Sequence, residues 1–146
     1  MTRSGKSLCI LYAFIAALAL VGTWGNVLEY LELGLVAANI HFWKETLANP
    51  ASRFITVDVL FLALAVIVWM LREARRLKMR GVWLYVVGGF LVAISVAYPL
   101  FMIHRERVLG ASPSDDAQSL GVGDKVGLAI LSVMFVAYAA VALSAG

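Results

Sequence analysis

The sequence has few charged residues for its length, and this scarcity indicates its class. Only 14% of the 146 residues are Asp, Glu, Lys or Arg, while 62% are hydrophobic. Soluble domains carry about 25% charged residues, and a soluble chain this short has too little interior to bury so much apolar side chain. The composition therefore excludes an ordinary soluble domain and predicts that much of the protein faces lipid.

Cysteine and histidine are also scarce, which limits metal and cofactor chemistry. The single cysteine, Cys9, cannot form an internal disulfide and gives no Cys/His metal-binding spacing. Two histidines could ligate a haem iron or a metal, but His41 and His104 stand in no recognisable ligand motif. The sequence also has no Ser-His-Asp arrangement and no glycine-rich phosphate loop. It therefore predicts no metal site and no catalytic residue, and it identifies no cofactor.

The remaining residues include four long apolar stretches. A bilayer core about 30 Å thick needs roughly 20 helical residues, and lipid offers no partner to the edge of a sheet. The sequence therefore predicts an all-α integral membrane four-helix bundle, a single domain over residues 1–146. The predicted spans cover about 8–28, 54–71, 82–103 and 126–143.

The first stretch has an alternative interpretation as a secretory signal peptide. Arg3 and Lys6 precede it, and Ala17-Leu18-Ala19 resembles a cleavage site. The apolar run continues well beyond that point, however, so an uncleaved helix is favoured.

Basic residues lie between the apolar runs, as membrane topology requires. This distribution is unlike a nucleic-acid-binding face, so nucleic acid is excluded as a partner despite a net charge of +3. Four crossings place seven basic residues on one side, five of them in the short segment 72–80, and five on the other. The positive-inside rule then predicts a plasma (inner) membrane protein with both termini in the cytoplasm.

Two connections between spans are longer. Val36, Ile40, Trp43 and Leu47 recur at helical spacing and predict a short amphipathic helix at the outer interface, ended by Asn49-Pro50. The segment 104–125 contains Gly, Ser, Pro and Asp and predicts a polar loop. Within the third span, small residues at four-residue spacing (Gly89, Ala93 and Ala97) predict close packing, either against a neighbouring helix of the same chain, which is favoured, or as a homodimer face.

Polar residues within the spans suggest a site. Asp58 is an ionisable residue inside the second span, which makes it a candidate functional group. Pro99 should kink the third span and leave a carbonyl free. We expect a ligand pocket in the outer third of the bundle, formed by Asp58, Asn26, Glu29, Tyr98, Pro99, His104 and Arg105. The alternative is structural: Asp58 pairs with Arg105 or Arg53, or caps its helix, and only fixes the packing.

A second candidate site is the basic segment between the second and third spans. Its cations could attract anionic lipid head groups, each contributing about 1 kcal/mol near a charged surface. They could equally serve only as the topology signal. The residues are Arg72, Arg75, Arg76, Lys78 and Arg80.

Several short motifs resemble an uncharacterised family of small bacterial membrane proteins. They are Asn49-Pro50-Ala51-Ser52, Asp58, Glu73-Ala74-Arg75-Arg76, Trp83-Leu84-Tyr85-Val86, Pro99-Leu100-Phe101 and Arg105-Glu106. The resemblance covers about Asn49 to Leu109, and Val59 stands where a leucine is expected. It implies a bacterial integral membrane protein with a domain of unknown function, and it implies no activity.

These observations favour a small, non-enzymatic multi-pass membrane protein, either an accessory protein or one that binds a ligand or lipid. Its expected partners are membrane lipids, and a small apolar ligand or a larger membrane complex is also compatible with the sequence. The alternative is a membrane enzyme or a proton-coupled carrier for an apolar substrate, with Asp58 or Glu29 as the acid.

Overall fold

The computed structural model describes residues 3–110 and 122–144, which contain helices and no strands. Four helical stretches are long and apolar enough to cross a membrane, namely Gly5–Trp24, Pro50–Arg76, Val82–Leu109 and Val126–Leu143. The prediction of an all-α bundle is confirmed. The α-helices are α1 (Arg3–Trp24), α2 (Leu35–Glu45), α3 (Pro50–Arg76), α4 (Val82–Gly88), α5 (Ile94–Leu109) and α6 (Val122–Ser144).

The connection from α1 to α3 contains the predicted short helix, here α2. A 3-10 helix, Leu28–Leu33, precedes α2, and sequence patterns had not indicated it. Asn49 and Pro50 begin the next helix: the Asn49 Oδ1 accepts a hydrogen bond from the Ser52 N–H at 2.9 Å, and Pro50 occupies the first helical position. Proline suits that position because the N–H it lacks would have no helical partner there.

The third apolar stretch is not one straight helix. A π-helical turn, Gly89–Ala93, separates α4 from α5, and Ala93 has an extended backbone (φ −176°, ψ 142°). The rings of Tyr85 and Phe101 lie 5.7 Å apart, although a continuous helix would separate these residues by about 24 Å. The chain therefore reverses direction, and α4 and α5 form an antiparallel helical hairpin, which we call the α4–α5 hairpin.

Small residues and one hydrogen bond allow the chain to turn at this point. A Cβ placed on Gly89 would lie 3.0 Å from the Cδ1 of Ile94 and 3.8 Å from the Cβ of Ala97, on the returning helix. The predicted close packing of small residues is thus real, but it joins the two arms of the hairpin. The indole Nε1–H of Trp24 donates to the Val92 carbonyl at 3.2 Å, which satisfies a backbone acceptor at the tip.

Helices α1 and α3 pack against α5 and define the two ends of the bundle. Trp24 at the end of α1 contacts the tip of the hairpin, whereas Cys9 near its start approaches the Ile103 carbonyl at 4.0 Å. Helix α1 is therefore antiparallel to α5. Arg105 near the end of α5 pairs with Glu73 near the end of α3. Four helix ends thus lie together: the start of α1, the end of α3, and the start of α4 and end of α5, which are the two feet of the hairpin. We call this end of the bundle the basic end.

Helix α6 contacts the end of α1 that lies opposite the basic end. A Cβ on Gly22 would lie 3.5 Å from the Cβ of Ala139, and one on Gly25 would overlap Leu143. The residue numbers of the contacting positions increase together along the two helices, so α6 runs parallel to α1. The prediction that both termini share one side assumed a continuous third span, and that assumption is wrong. The predicted loop is helical as far as Leu109, and its segment 111–121 lies outside the described residues.

Candidate functional site

The best-packed part of the molecule lies near the basic end, where α3, α4 and α5 meet. Met70 and Phe101 have no exposed surface, and Ala74 is 1% exposed. The rings of Trp69 and Tyr85 pack edge to face against Phe101, at centroid distances of 6.0 and 5.7 Å. Tyr98 packs in the same way against Trp69, at 5.9 Å. Such contacts favour a fixed arrangement of rings, and they hold the hairpin against α3.

An ion cluster lies beside this aromatic core. The Arg105 Nε donates to the Glu73 Oε1 at 2.7 Å, and its Nη1 donates to the Glu106 Oε1 at 2.8 Å. Arg76 donates to both oxygens of Glu73, at 2.7 and 2.8 Å. Glu73 and Glu106 are the two buried charged residues among those described. Two carboxylates and two guanidinium groups give the ion cluster no net charge.

Arg105 holds this cluster together. Its guanidinium bridges two carboxylates from different helices and lies 5.9 Å from the centre of the Trp69 ring. A planar guanidinium can bind carboxylates and an aromatic face at once, which an ammonium group does less well. Within residues 3–110 and 122–144, no buried side-chain nitrogen or oxygen lacks a partner. The ion cluster is therefore a satisfied clamp between α3 and α5, without a free acid or base.

The foot of the hairpin has a second polar contact. The Tyr85 hydroxyl and the His104 Nδ1 lie 3.1 Å apart and form a hydrogen bond between α4 and α5. His104 was predicted to lie in the outer pocket, but it lies at the basic end. Because α2 lies beyond the other end of α1, His41 and His104 cannot ligate one metal. The described residues contain no group of three potential metal ligands.

The predicted convergence around Asp58 is wrong. Arg105 and His104 lie at the basic end, whereas Asp58 is fifteen residues before Glu73 on α3, or about 22 Å along the helix. The continuous-span assumption caused this error, because a straight third span carries its last residues to the outer side. The chain instead returns, and Tyr98 packs on Trp69 at 5.9 Å.

The other predicted pocket residues are also dispersed. Asn26 is exposed, and its Nδ2 donates to the Gly22 carbonyl at 2.7 Å, within its own helix end. Pro99 is buried within α5, and the interruption of the segment precedes it, at Gly89–Ala93. Glu29 belongs to the 3-10 helix, and its side chain lies outside the described part of the structure.

Asp58 itself is exposed on α3. It lines a shallow groove that is formed by α3 alone, with Pro50, Arg53, Phe54, Val57 and Phe61. Among the described residues its carboxylate has no ion-pair or hydrogen-bond partner: Arg105 pairs with Glu73, and Arg53 donates to the Leu47 carbonyl at 2.8 Å. The helix cap is Asn49. Neither structural alternative that the sequence suggested for Asp58 is therefore found.

The basic segment keeps its cations available, apart from Arg76 in the ion cluster. Arg72, Arg75, Lys78 and Arg80 are exposed, as is Arg107 at the end of α5. Within the described residues, no side-chain hydrogen bond or ion pair involves any of these five. Glu73 and Glu106, the nearest acids in sequence, are already engaged by Arg76 and Arg105.

Only partial signals for the ion cluster are present in the sequence. Glu73 precedes Arg76 by three residues, a spacing that allows contact on one helix face, and Glu106 adjoins Arg105. Four full crossings would place these two pairs at opposite membrane surfaces. The signal that could have joined them is Gly88-Gly89, a glycine pair in the middle of an apolar run, which is a common site for a break.

Comparison with known proteins identifies the chain's family. Residues 11–107 match the family described as a protein of unknown function, DUF2834. This region extends from α1 to α5 and contains the hairpin and the ion cluster, and it confirms the expected relationship to an uncharacterised family. No curated protein and no solved structure matches the chain. The chain belongs to the DUF2834 family of proteins of unknown function.

Proposed function

We propose that this chain is a small, non-enzymatic integral membrane protein that binds anionic lipid head groups with its basic end. It crosses a bacterial plasma membrane with α1, α3 and α6, while the α4–α5 hairpin enters and leaves on the same side. The observation that carries the lipid proposal is the set of five exposed cations at that end that have no side-chain partner among the described residues.

The hairpin supports this topology by its size. Helix α4 has 7 residues and α5 has 16, which correspond to lengths of about 10 and 24 Å, both below the roughly 30 Å of a bilayer core. Its two feet carry charged residues, and its turn carries none. Such a segment satisfies its backbone through helices and through Trp24 without crossing the membrane.

Charge distribution supports a cytoplasmic basic end. The seven basic residues predicted on the inner side are joined by Arg105, Arg107 and Lys125 near the start of α6, which makes ten of the twelve in the chain. By the positive-inside rule, this excess supports a cytoplasmic location for the basic end. The parallel packing of α1 and α6 supports a topology in which Arg3 and Ser144 lie on opposite sides, in place of the shared side suggested by four full crossings.

Lipid binding follows from the same charges. Inner leaflets rich in anionic lipid attract basic residues near the surface, with about 1 kcal/mol for each. Arg76 and Arg105 are neutralised by Glu73 and Glu106, so the head groups face the five free cations. Glu73 and Glu106 do not compete with lipid for these cations, because both carboxylates are already paired within the ion cluster.

The test is native mass spectrometry of the purified protein with mixed phosphatidylglycerol and phosphatidylcholine. We expect bound phosphatidylglycerol to predominate, and each of Arg72→Gln, Arg75→Gln and Arg80→Gln to weaken its binding about fivefold. The matched control is Lys44→Gln, which removes an exposed cation from α2 at the other end. Equal binding of both lipids, or an equal effect of Lys44→Gln, would contradict the proposal.

A further inference from the structure

The outer half of α3 presents a carboxylate where the membrane offers it no partner. The buried residues of α3 that face the bundle are Ala63, Ile67, Met70 and Ala74, at helical spacing. Asp58 lies five residues before Ala63, which turns it about 140° around the helix from that face. Phe54, Val57 and Phe61 beside it are 74%, 53% and 70% exposed. Asp58 therefore faces outward among apolar side chains.

A lipid environment makes this position costly. The apolar run of α3 begins at Phe54, so Asp58 lies about 6 Å inside it. An acidic side chain within a span normally faces a bundle interior or a partner, because hydrocarbon cannot solvate it. The folded chain supplies no such partner among its described residues. The physical requirement is a polar group from another molecule.

We propose that the groove formed by Pro50, Arg53, Phe54, Val57, Asp58 and Phe61 is the interface between two copies of this chain. The groove carries one acid and one base among apolar residues, so its charges are complementary to those of a second identical groove. In a two-fold symmetric contact, every contact between two residues occurs twice, once in each direction. If Asp58 of one copy contacts Arg53 of the other, then Arg53 of the first copy contacts Asp58 of the second.

The depths of the two residues fit this arrangement. A two-fold axis along the membrane normal puts both Asp58 residues at one depth and both Arg53 residues about 7.5 Å nearer the outer surface. A long arginine side chain directed along the groove covers this distance. In the single chain, Arg53 uses Nη1 for the Leu47 carbonyl and lies at the surface, so its remaining N–H donors are available to a carboxylate.

Disulfide crosslinking in native membranes tests the interface. With Cys9→Ala as background, we expect Val57→Cys and Phe61→Cys each to give a covalent dimer on mild oxidation. The matched control is Val59→Cys, an exposed position (43%) on the other side of the same helix, which should remain monomeric. A failure of both groove positions, or equal crosslinking at position 59, would overturn the proposal, as would capture of a different protein.

The charge pairing is tested separately. In the Phe61→Cys background, Asp58→Leu should lower the crosslinked fraction about tenfold. It should not lower the melting temperature of the detergent-solubilised single chain, because the Asp58 carboxylate has no polar partner among the described residues. Asp58→Arg should have the same effect, and adding Arg53→Asp should restore crosslinking. Unchanged crosslinking with Asp58→Leu would overturn the role of the pair. Lipid selectivity at the basic end should be unchanged in all these variants.

Discussion

Arg105 and Glu73, 32 residues apart in sequence, form an ion pair of 2.7 Å that joins α5 to α3. The pair fastens the returning arm of the α4–α5 hairpin to α3. It also explains why two arginines of the basic end, Arg76 and Arg105, differ from the rest: they neutralise acids within the protein. The other exposed cations of this end have no side-chain partner among the described residues, so the proposed lipid-binding surface is separate from the structural cluster.

Substitution of Arg105 tests the clamp. Arg105→Met should lower the free energy of unfolding by about 3–5 kcal/mol, because the buried Glu106 carboxylate loses its partner and Glu73 keeps only Arg76. Thermal unfolding in detergent measures this loss. Arg107→Met is the matched control, since Arg107 is exposed on the same helix end and surface changes usually remain within about 0.5 kcal/mol. Equal melting of the two variants would contradict a clamp.

Labelling of cysteines tests the reversal of the hairpin. Arg80→Cys and Arg107→Cys, each with Cys9→Ala, lie before α4 and near the end of α5. Both should react with a membrane-impermeant maleimide only after the cells are permeabilised. Lys44→Cys should react in intact cells, because α2 lies at the opposite end. A continuous third span requires the opposite result for Arg107→Cys, namely labelling in intact cells.

Reporter fusions test the direction of α6. A fusion after Ser144 should give active alkaline phosphatase and no fluorescence from green fluorescent protein, because α6 runs parallel to α1 and in the proposed topology therefore ends on the outer side. A fusion after Gly110 should give the reverse result, since that residue follows the returning arm of the hairpin. Identical results at both points would exclude a crossing by α6.

Glycine substitutions test the turn. Gly89→Val should destabilise the protein by about 1–3 kcal/mol, because a Cβ there already lies 3.0 Å from Ile94 and added methyl groups overpack the turn. Gly88→Val is the matched control: a Cβ on Gly88 meets no atom within 4 Å, and valine has a higher helix propensity than glycine. Unfolding followed by circular dichroism distinguishes them, and equal effects at both glycines would indicate a turn without close contact.

Much of the fold can be predicted from the sequence, because the hydropathy and length of a segment are properties of that segment alone. Each of three features can be recognised from a stretch of about 20 residues: the four apolar stretches, the amphipathic α2 and the cations of segment 72–80. Lipid requires helices wherever apolar runs are continuous. The boundaries differ mainly because helices continue into the polar interface, as α3 does from Pro50 to Arg76.

The site could not be predicted in the same way, because it depends on one change of direction. Hydropathy is identical for a straight span and for two short antiparallel arms, so Val82–Leu109 satisfies the length rule in either case. Whether Arg105 meets Asp58 or Glu73 depends on the turn at Gly89–Ala93. Without this reversal, the sequence predicts the wrong neighbours for Tyr98, His104 and Arg105.

The reversal at Gly89–Ala93 also has a consequence for biosynthesis. The five residues of the turn are Gly, Phe, Leu, Val and Ala, so no charged loop has to be translocated when this segment enters the bilayer. Its tip hydrogen bond comes from Trp24, which is synthesised earlier. Because the chain is synthesised from its N-terminus, the donor for the Val92 carbonyl therefore already exists when the second arm of the hairpin is made.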